Sequence, residues 1–376
     1  MELPRPTVDP GGLREFSVVF TDRSLNHMSQ RFVGVMRDII DVLGTTYSAD
    51  SVAVVPGGGS YAMEAVARQL ATGRRCLVVR NGLFSYRWTQ IIEAGSITDD
   101  VVVCMARPED GGPQSPWQPA PVEEVVAAVR EQRSQVVFAP HVETASGVVL
   151  GDDYVRALAD AAHEVGGLLV LDCVASGALW VDMKHLGVDV LISAPQKGWS
   201  GSPCAGYVML SEAGRTAVEA TTSTSFAADL RKWLSVTEAY TEGRTPYHTT
   251  MPTDALAYNA AMMLETRDAG LEQLRAAQVE LGGRVRALLA EHGYPSVAAP
   301  EVAASSVVVV YTDDPDLRSG AGFKKVGVQV AGGVPLMCGE PEDLSTFRIG
   351  LFGLDKLTDV DGTVARLRDA LEQLAR

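Results

Sequence analysis

Cysteine and lysine are both scarce in this sequence. The chain has 376 residues, of which five are cysteines and six are lysines. The cysteines are widely spaced and form no CxxC pair and no Cys/His cluster of metal-site spacing. No metal site is therefore expected, and reduced thiols in a cytoplasmic protein fit this pattern best.

Long apolar runs are missing as well. No run of about 18 apolar residues occurs, which argues against a membrane-spanning helix. The N-terminal sequence MELPRPTVDPGG has no basic region followed by an apolar stretch, so no secretory signal is expected. The net charge of −15 argues against nucleic acid and anionic membranes as partners, because both would repel such a surface.

Short β-branched runs alternate with amphipathic stretches between about residues 50 and 210. Near-continuous apolar strands separated by helices predict a mostly parallel sheet that is covered on both faces, which is an α/β architecture. Seven strands are predicted, at 52–55, 76–79, 101–104, 135–139, 167–171, 189–193 and 206–210. Among the intervening helices are segments 122–132 and 154–166.

The pattern changes after about residue 250, where long helical stretches precede a few short strands. We expect a large domain over 1–250, with an N-terminal arm over 1–28, and a smaller C-terminal α+β domain over 251–376. The predicted helices of the second domain are 252–270, 272–293 and 358–375, and its strands are 305–312 with shorter ones near 327–331 and 346–350.

Lys197 has unusual surroundings for a lysine. It interrupts the apolar run LISAPQKGWSGSPCAGYVML and has no charged neighbour between Asp189 and Glu212. Because a free ammonium is costly to bury, burial would lower its pKa or use its charge in a covalent bond such as a Schiff base. The alternative is a lysine at the tip of an exposed hairpin.

Asp172 ends the predicted strand GLLVLD, where a carboxylate has no structural use unless a cation meets it. In a parallel sheet this position opens into the crevice that binds ligands, and the next strand leads to Lys197. An acid that keeps a pyridine nitrogen protonated and an amine that bonds to the cofactor are the minimum for a pyridoxal phosphate enzyme. A helix or turn cap after the strand is the alternative for Asp172.

The segment PGGGSYAMEAVARQL follows the first predicted strand and is suited to binding a phosphate. Its glycines allow close approach of an anion, and Ser60 can cap the following helix and donate its hydroxyl. The same string is similar to a loose dinucleotide-binding loop. That alternative requires an acid at the end of the second strand, where the chain has Arg80 and Asn81.

Taken together, the motifs resemble the class V aminotransferases of fold type I, particularly the alanine–glyoxylate and serine–pyruvate group. The resemblance covers nearly the whole chain and implies pyridoxal 5′-phosphate as cofactor. It implies that GGGSYAMEA (57–65) holds the cofactor phosphate through Gly58, Gly59 and Ser60. In NGLFSYRW (81–88), which matches the family's NGxWGxR, Phe84 would stack on the pyridine ring, although a core aromatic is the alternative.

Other family motifs imply roles for five further residues. In HVETASG (141–147) and LDCVAS (171–176), Thr144 would lie near the phenolic oxygen, Asp172 would pair with the pyridine nitrogen and Val174 would lie under the ring. In APQKGW (194–199), Gln196 would bind the phosphate and Lys197 would form the covalent bond.

The last two motifs imply a partner subunit and a substrate. In TPYHTTMP (245–252), Tyr247 and Thr250 would reach the phosphate in the neighbouring subunit of a homodimer. In TFRIGLFG (346–353), Arg348 would bind the substrate carboxylate in bidentate fashion.

The N-terminus departs from the family pattern. A PGP segment usually lines the substrate pocket there, whereas this chain has DPGGLREFSVVFTDRSLNH (9–27). Residues around Glu15, Phe16 and Ser17 are therefore expected to shape a different pocket.

The resemblance implies an aminotransferase that moves an amino group from a small L-amino acid to a 2-oxo acid such as glyoxylate or pyruvate. Lys197 would move the proton, and the kinetics would be ping-pong. Three alternatives stay open, namely a pyridoxal phosphate-dependent lyase or cysteine desulfurase, an NAD(P)-dependent oxidoreductase and a non-enzymatic protein of the same fold. A desulfurase needs a mobile cysteine well before the arginine, and Cys338 precedes Arg348 by only ten residues.

Overall fold

The structure is a computed structural model that describes residues 8–13, 16 and 23–375. Within these residues the strands are β1 (Ser51–Pro56), β2 (Cys76–Arg80), β3 (Val101–Met105), β4 (Arg107–Pro108), β5 (Trp117–Gln118), β6 (Val136–Pro140), β7 (Val142–Glu143), β8 (Val148–Val149), β9 (Leu168–Asp172), β10 (Val190–Ser193), β11 (Ala205–Leu210), β12 (Val307–Tyr311), β13 (Ala331–Gly332) and β14 (Thr346–Gly350).

The helices of the same part of the chain are α1 (Gln30–Tyr47), α2 (Gly59–Leu70), α3 (Leu83–Ala94), α4 (Val122–Gln132), α5 (Asp152–Glu164), α6 (Met183–Leu186), α7 (Glu212–Glu219), α8 (Leu230–Thr241), α9 (Thr253–Asp268), α10 (Leu271–Glu291), α11 (Pro315–Arg318), α12 (Ala321–Lys325), α13 (Leu354–Leu357) and α14 (Val360–Leu374). A short 3₁₀ helix covers Pro300–Val302. Of the helices in the described ranges, none combines the length and the apolar character needed to span a membrane.

The seven strands predicted from the first half of the sequence form one sheet in the order β1-β11-β10-β9-β6-β2-β3. Strands β10, β9, β6, β2 and β3 pair in parallel, whereas β11 runs antiparallel to both of its neighbours, β1 and β10. The prediction of a mostly parallel sheet is therefore confirmed. The parallel strands place their carboxyl ends along one edge, where β9 ends at Asp172.

Helices cover the sheet because each has one apolar face. In α5 the buried positions Val155, Leu158, Ala159 and Ala162 recur at helical spacing, and this face packs against β6 and β9. Helix α3 is held on the sheet by Trp88, whose ring stacks on Phe138 of β6 with the centroids 4.3 Å apart. This contact fixes the helix that also carries Phe84.

The C-terminal strands form a separate antiparallel sheet in the order β12-β14-β13. Helices 252–270, 272–293 and 358–375 were predicted nearly as they occur, and strand 346–350 is β14. The strand predicted near 327–331 is only the two-residue β13, because Gly327, with φ 78°, turns the chain before it. The domain boundary near residue 250 stays a prediction.

Two adjacent glycines of α10 provide a test of this packing. A Cβ on Gly282 would lie 2.4 Å from Ser305 Cα, whereas a Cβ on Gly283 would meet no atom within 4 Å. Gly282→Ala should lower the free energy of unfolding by about 1–3 kcal/mol through overpacking. The matched control Gly283→Ala should raise it by about 0.5–1 kcal/mol, because alanine is the better helix former.

Chemical denaturation of both variants measures the difference. Equal effects of the two substitutions would contradict the close approach of α10 to the segment that leads into β12.

Candidate active site

Lys197 lies in the connection 194–204 between β10 and β11. These strands are antiparallel neighbours, like the two strands of a hairpin, but the connection between them is not an exposed tip. It folds back on itself through a hydrogen bond from Gly201 N to Pro195 O at 2.9 Å, and Ser200 Oγ accepts from Leu354 N at 2.9 Å. Lys197 is half-buried and lines a cavity of about 250 Å³. The exposed-hairpin interpretation is therefore wrong.

The Lys197 amine has no acidic partner in the described part of the chain. No ion pair there includes it, and its Nζ lies 4.7 Å from the centroid of the Phe352 ring. Burial lowers the pKa of Lys197, and the nearby positive charges of Arg348 and Arg87 lower it further. A larger fraction of the amine is thus neutral, which is the form that acts as a nucleophile or a base.

Asp172 lies in the same cavity at the end of β9 and is only 9% exposed. Its carboxylate accepts a hydrogen bond from Val174 N at 2.9 Å. Burial raises the pKa of Asp172 to about 6, against the opposing effects of the Val174 amide and the Arg87 charge. A cationic ligand would stabilise the ionised form of this buried acid.

His141 supports the backbone of this acid. Its amide donates to the Asp172 carbonyl at 2.8 Å, and its Nδ1 is 2.7 Å from Ser176 Oγ. Burial lowers the pKa of His141 to about 4, so the ring is neutral near pH 7. It therefore adds no charge beside Asp172.

Helix α2 begins at the wall of the cavity with uncapped backbone amides. The helix starts at Gly59, and its N-cap is Gly58, which offers no side-chain cap. The expectation that Ser60 caps the helix is wrong, because Ser60 lies inside the first turn, where its Oγ accepts from Arg87 Nη1 at 3.0 Å. The open amides and the helix dipole leave this end suited to an anion.

Gly59 also allows a close approach to the sheet. A Cβ at this position would lie 2.9 Å from Val174 Cγ2. Gly57, with φ 122°, adopts a left-handed backbone conformation that favours glycine, and its amide donates to Cys204 O at 2.8 Å. These contacts place the start of α2 against the connection that carries Lys197.

The cavity brings together most of the residues that the sequence motifs singled out. Gln196 contributes a buried Oε1 that has no hydrogen-bond partner in the described ranges. The predicted residues that line the cavity are Gly59, Ser60, Phe84, Thr144, Asp172, Val174, Gln196 and Lys197.

Arg348 of β14 lies beside this cavity. Its Nε donates to Gly332 O at 2.9 Å, and its guanidinium carbon is 5.7 Å from the centroid of the Phe84 ring. Burial lowers the pKa of Arg348, against the opposing effect of the Glu143 charge. The terminal nitrogens have no partner within the described residues and are open to a ligand.

Other predicted residues lie elsewhere. Tyr247 and Thr250 line a different cavity of about 150 Å³, and their hydroxyls are 3.2 Å apart. Tyr247 is 59% exposed. Phe16 is 95% exposed and does not line the Lys197 cavity, while Glu15 and Ser17 lie outside the described residues. Substrate roles for Phe16 and Ser17 stay predictions.

Arg87 and Met63 line the cavity but were not predicted to be site residues. The guanidinium carbon of Arg87 lies 4.7 Å from the centroid of the Phe84 ring. Arg87 occupies the final arginine of the NGxWGxR motif, so a signal for it was present in the sequence. Met63 belongs to the motif GGGSYAMEA, so the sequence carried a signal for it as well, although a methionine at helical spacing is also typical of a core.

Comparisons with known proteins find relatives that match nearly the whole chain. A relative from Anabaena cylindrica, named soluble hydrogenase 42 kDa subunit, is 26% identical and covers 99% of this chain and 93% of its own. The 2-aminoethylphosphonate–pyruvate transaminase 2 of Paraburkholderia xenovorans is 27% identical and covers 94% of this chain and 90% of its own.

Among solved structures, alanine–glyoxylate aminotransferase from Nostoc sp. superimposes with a TM-score of 0.78 at 22% identity, over 94% of this chain and 89% of the other. The sequence profile of the family described as aminotransferase class-V matches residues 17–321. The chain therefore belongs to the class V aminotransferases, and its fold is the type I fold of pyridoxal phosphate-dependent transferases.

Proposed function

We propose that this protein is a pyridoxal phosphate-dependent aminotransferase that moves an amino group from a small L-amino acid to a 2-oxo acid such as glyoxylate or pyruvate. The observation that carries the proposal is the placement of Lys197 and Asp172 in one cavity at the ends of adjacent strands. Pyruvate is part of the name of the transaminase relative, and glyoxylate is part of the name of the structural neighbour.

The residues of the cavity fit this cofactor. Its phosphate suits the uncapped start of α2 with Ser60, and Gln196, whose side-chain NH₂ group is a donor, lines the same cavity. Its pyridine nitrogen, when protonated, suits the buried carboxylate of Asp172. Phe84 and Val174 supply apolar surfaces for the ring.

When bound, pyridoxal phosphate acts as an electron sink that makes the hydrogen on the substrate Cα acidic. Lys197 would take this proton from Cα as a base and then, as an acid, donate it to the C4′ carbon of the cofactor, since its lowered pKa makes the neutral and the protonated amine both accessible closer to neutral pH. Arg348 binds the substrate carboxylate and so orients Cα toward Lys197. Asp172 holds a proton on the pyridine nitrogen.

The geometry supports transamination over the other activities considered. The Cys338 thiol is held near Arg80 O at 3.5 Å and Leu336 O at 3.6 Å. Burial, with the nearby Glu143 and Glu340 charges, raises the pKa of Cys338 to about 12, so it is a poor nucleophile for a desulfurase. A dinucleotide enzyme would leave the presence of Lys197 and Asp172 in one cavity without a purpose.

We also propose that Tyr247 and Thr250 complete the site of a second copy in a homodimer. Their cavity is separate from that of Lys197, and Tyr247 is exposed on this chain. The large domain over 1–250 and small domain over 251–376 form part of the same proposal.

Lys197 should be the residue to which the cofactor bonds. Borohydride reduction of the protein with pyridoxal phosphate, followed by peptide mass spectrometry, should find the adduct on Lys197 and lose it in Lys197→Ala. Arg348→Ala is the matched control, because it should keep the adduct while raising KM for the amino acid by about 10- to 100-fold. An adduct on Lys184, which instead pairs with Asp50 at 2.7 Å, would sink the assignment.

Asp172 should destabilise the cofactor-free protein as the pH rises. Its folded-state pKa of about 6 lies above the ordinary value of about 3.9, so the unfolded state binds fewer protons between these values and stability falls with rising pH. The free energy of unfolding of Asp172→Asn minus that of the unaltered protein should increase by roughly 2–3 kcal/mol from pH 4 to pH 7.

Urea denaturation of both cofactor-free proteins across this range provides the measurement. A difference that does not change with pH would contradict the burial of an unpaired carboxylate.

The shared site can be tested by subunit complementation. Neither Lys197→Ala nor the double variant Tyr247→Ala/Thr250→Ala should be active alone. A mixed dimer should have one intact site, so activity should rise toward about one quarter to one half of the unaltered level as subunits exchange. The absence of recovery in mixed dimers that have been verified by mass would contradict the proposal.

A further inference from the structure

Glu143 is a buried acid that the proposed chemistry does not use. It ends β7 and is 0% exposed, yet it is not among the residues that line the Lys197 cavity. A buried carboxylate is costly unless hydrogen bonds satisfy its oxygens. Its partners therefore indicate what it does.

Four donors converge on the two oxygens of Glu143. Oε1 accepts from Phe84 N at 3.2 Å and from Ala145 N at 3.0 Å. Oε2 accepts from Ser85 N at 2.9 Å and from Ser85 Oγ at 2.6 Å. Helix α3 follows Gly82, which has no side chain to cap it. The Glu143 carboxylate, from β7, therefore accepts from the first-turn amides and complements the helix dipole.

Ser85 extends this support to the turn before the helix. Its Oγ accepts from Asn81 N at 2.9 Å and from Gly82 N at 3.1 Å. The family motif NGxWGxR has glycine at this position, so the hydroxyl is a feature of this chain. The fit is close, because a Cβ on Gly82 would lie 2.6 Å from Glu143 Cγ.

The carboxylate thus joins two walls of the cavity. One wall is the start of α3, which carries Phe84 and Arg87, and the other is the turn that carries Thr144. At the first wall, Arg87 makes a second link by donating to Ser60 Oγ on α2. The position of the Phe84 ring therefore depends on Glu143, which lies outside the cavity, as well as on the contact between Arg87 and Ser60 within it.

We propose that Glu143, acting with the Ser85 hydroxyl, is a positioning residue that fixes Phe84 against the cofactor ring. The inference rests on the proposed function for the identity of the ring that Phe84 meets. It concerns residues in the interior of the chain. To the roles of Lys197 and Asp172 it adds a support for the part of the cavity between Phe84 and Val174, where the ring would lie.

The test compares Glu143→Gln and Ser85→Ala with a matched control. Glutamine has the same shape as glutamate. Its NH₂ group, however, would replace one of the two oxygens that accept hydrogen bonds, so a donor would face donors there. Ser85→Ala removes the hydroxyl but keeps the hydrogen bond from the backbone amide of residue 85 to Glu143. Glu340→Gln is the control, because Glu340 accepts from the backbone amides of Leu336, Met337 and Cys338 rather than from α3.

Hydrogen exchange of the full chain, with and without pyridoxal phosphate, is the first measurement. In Glu143→Gln the amides of Phe84 and Ser85 should exchange at least about tenfold faster. The increase should be smaller in Ser85→Ala, and the rates should not change in Glu340→Gln. Unchanged exchange in Ser85→Ala and in folded Glu143→Gln would overturn the inference, whatever Lys197 does.

The visible circular dichroism of the bound cofactor is the second measurement. Its intensity should fall in the order control, Ser85→Ala, Glu143→Gln, and the Kd for the cofactor should rise by about fivefold in Glu143→Gln through loss of ring stacking. An equal change in Glu340→Gln would also overturn the inference. Failure of the proposed function has a different signature, which is the absence of an adduct on Lys197 in the unaltered protein.

Discussion

The parallel pairing of β9 with β10 is the constraint on which the active site depends. Asp172, the last residue of β9, is in register with Ile192 of β10, so the two strands reach the same edge of the sheet. Lys197 follows within a few residues because the chain turns back there into the antiparallel β11. The acid and the amine therefore meet without either being held by the other.

This arrangement places charged groups in a cavity where each is at a disadvantage. Burial raises the pKa of Asp172 and lowers the pKa values of Lys197 and Arg348. Each group is thus shifted toward its neutral form, which a ligand of complementary charge would reverse. Perturbed pKa values of this kind cluster at sites that bind charged ligands.

The walls of the cavity are held by contacts outside the cavity and by one contact between residues that line it. The Trp88 ring stacks on Phe138 and holds α3 on the sheet, while Glu143 satisfies the first amides of the helix. Arg87 links the same helix to Ser60 at the start of α2. Glu143 acts on the first turn of α3, and the contacts of the adjacent residues Arg87 and Trp88 act on the next turn, so the Phe84 ring is positioned by a held helix rather than by a loop.

The sequence alone determined the seven strands of the large sheet, because uninterrupted β-branched runs can be buried only as strands with helices on both faces. It also placed Asp172 and Lys197 at one edge, since parallel strands end together. Three features depended on the tertiary structure. Ser60 lost its role as a cap because backbone geometry starts α2 at Gly59. The position of Arg87 in the cavity and the hydrogen bonds of Glu143 to α3 depend on the tertiary structure as well. Residues that are distant in the chain approach each other only when the sheet and its helices have packed.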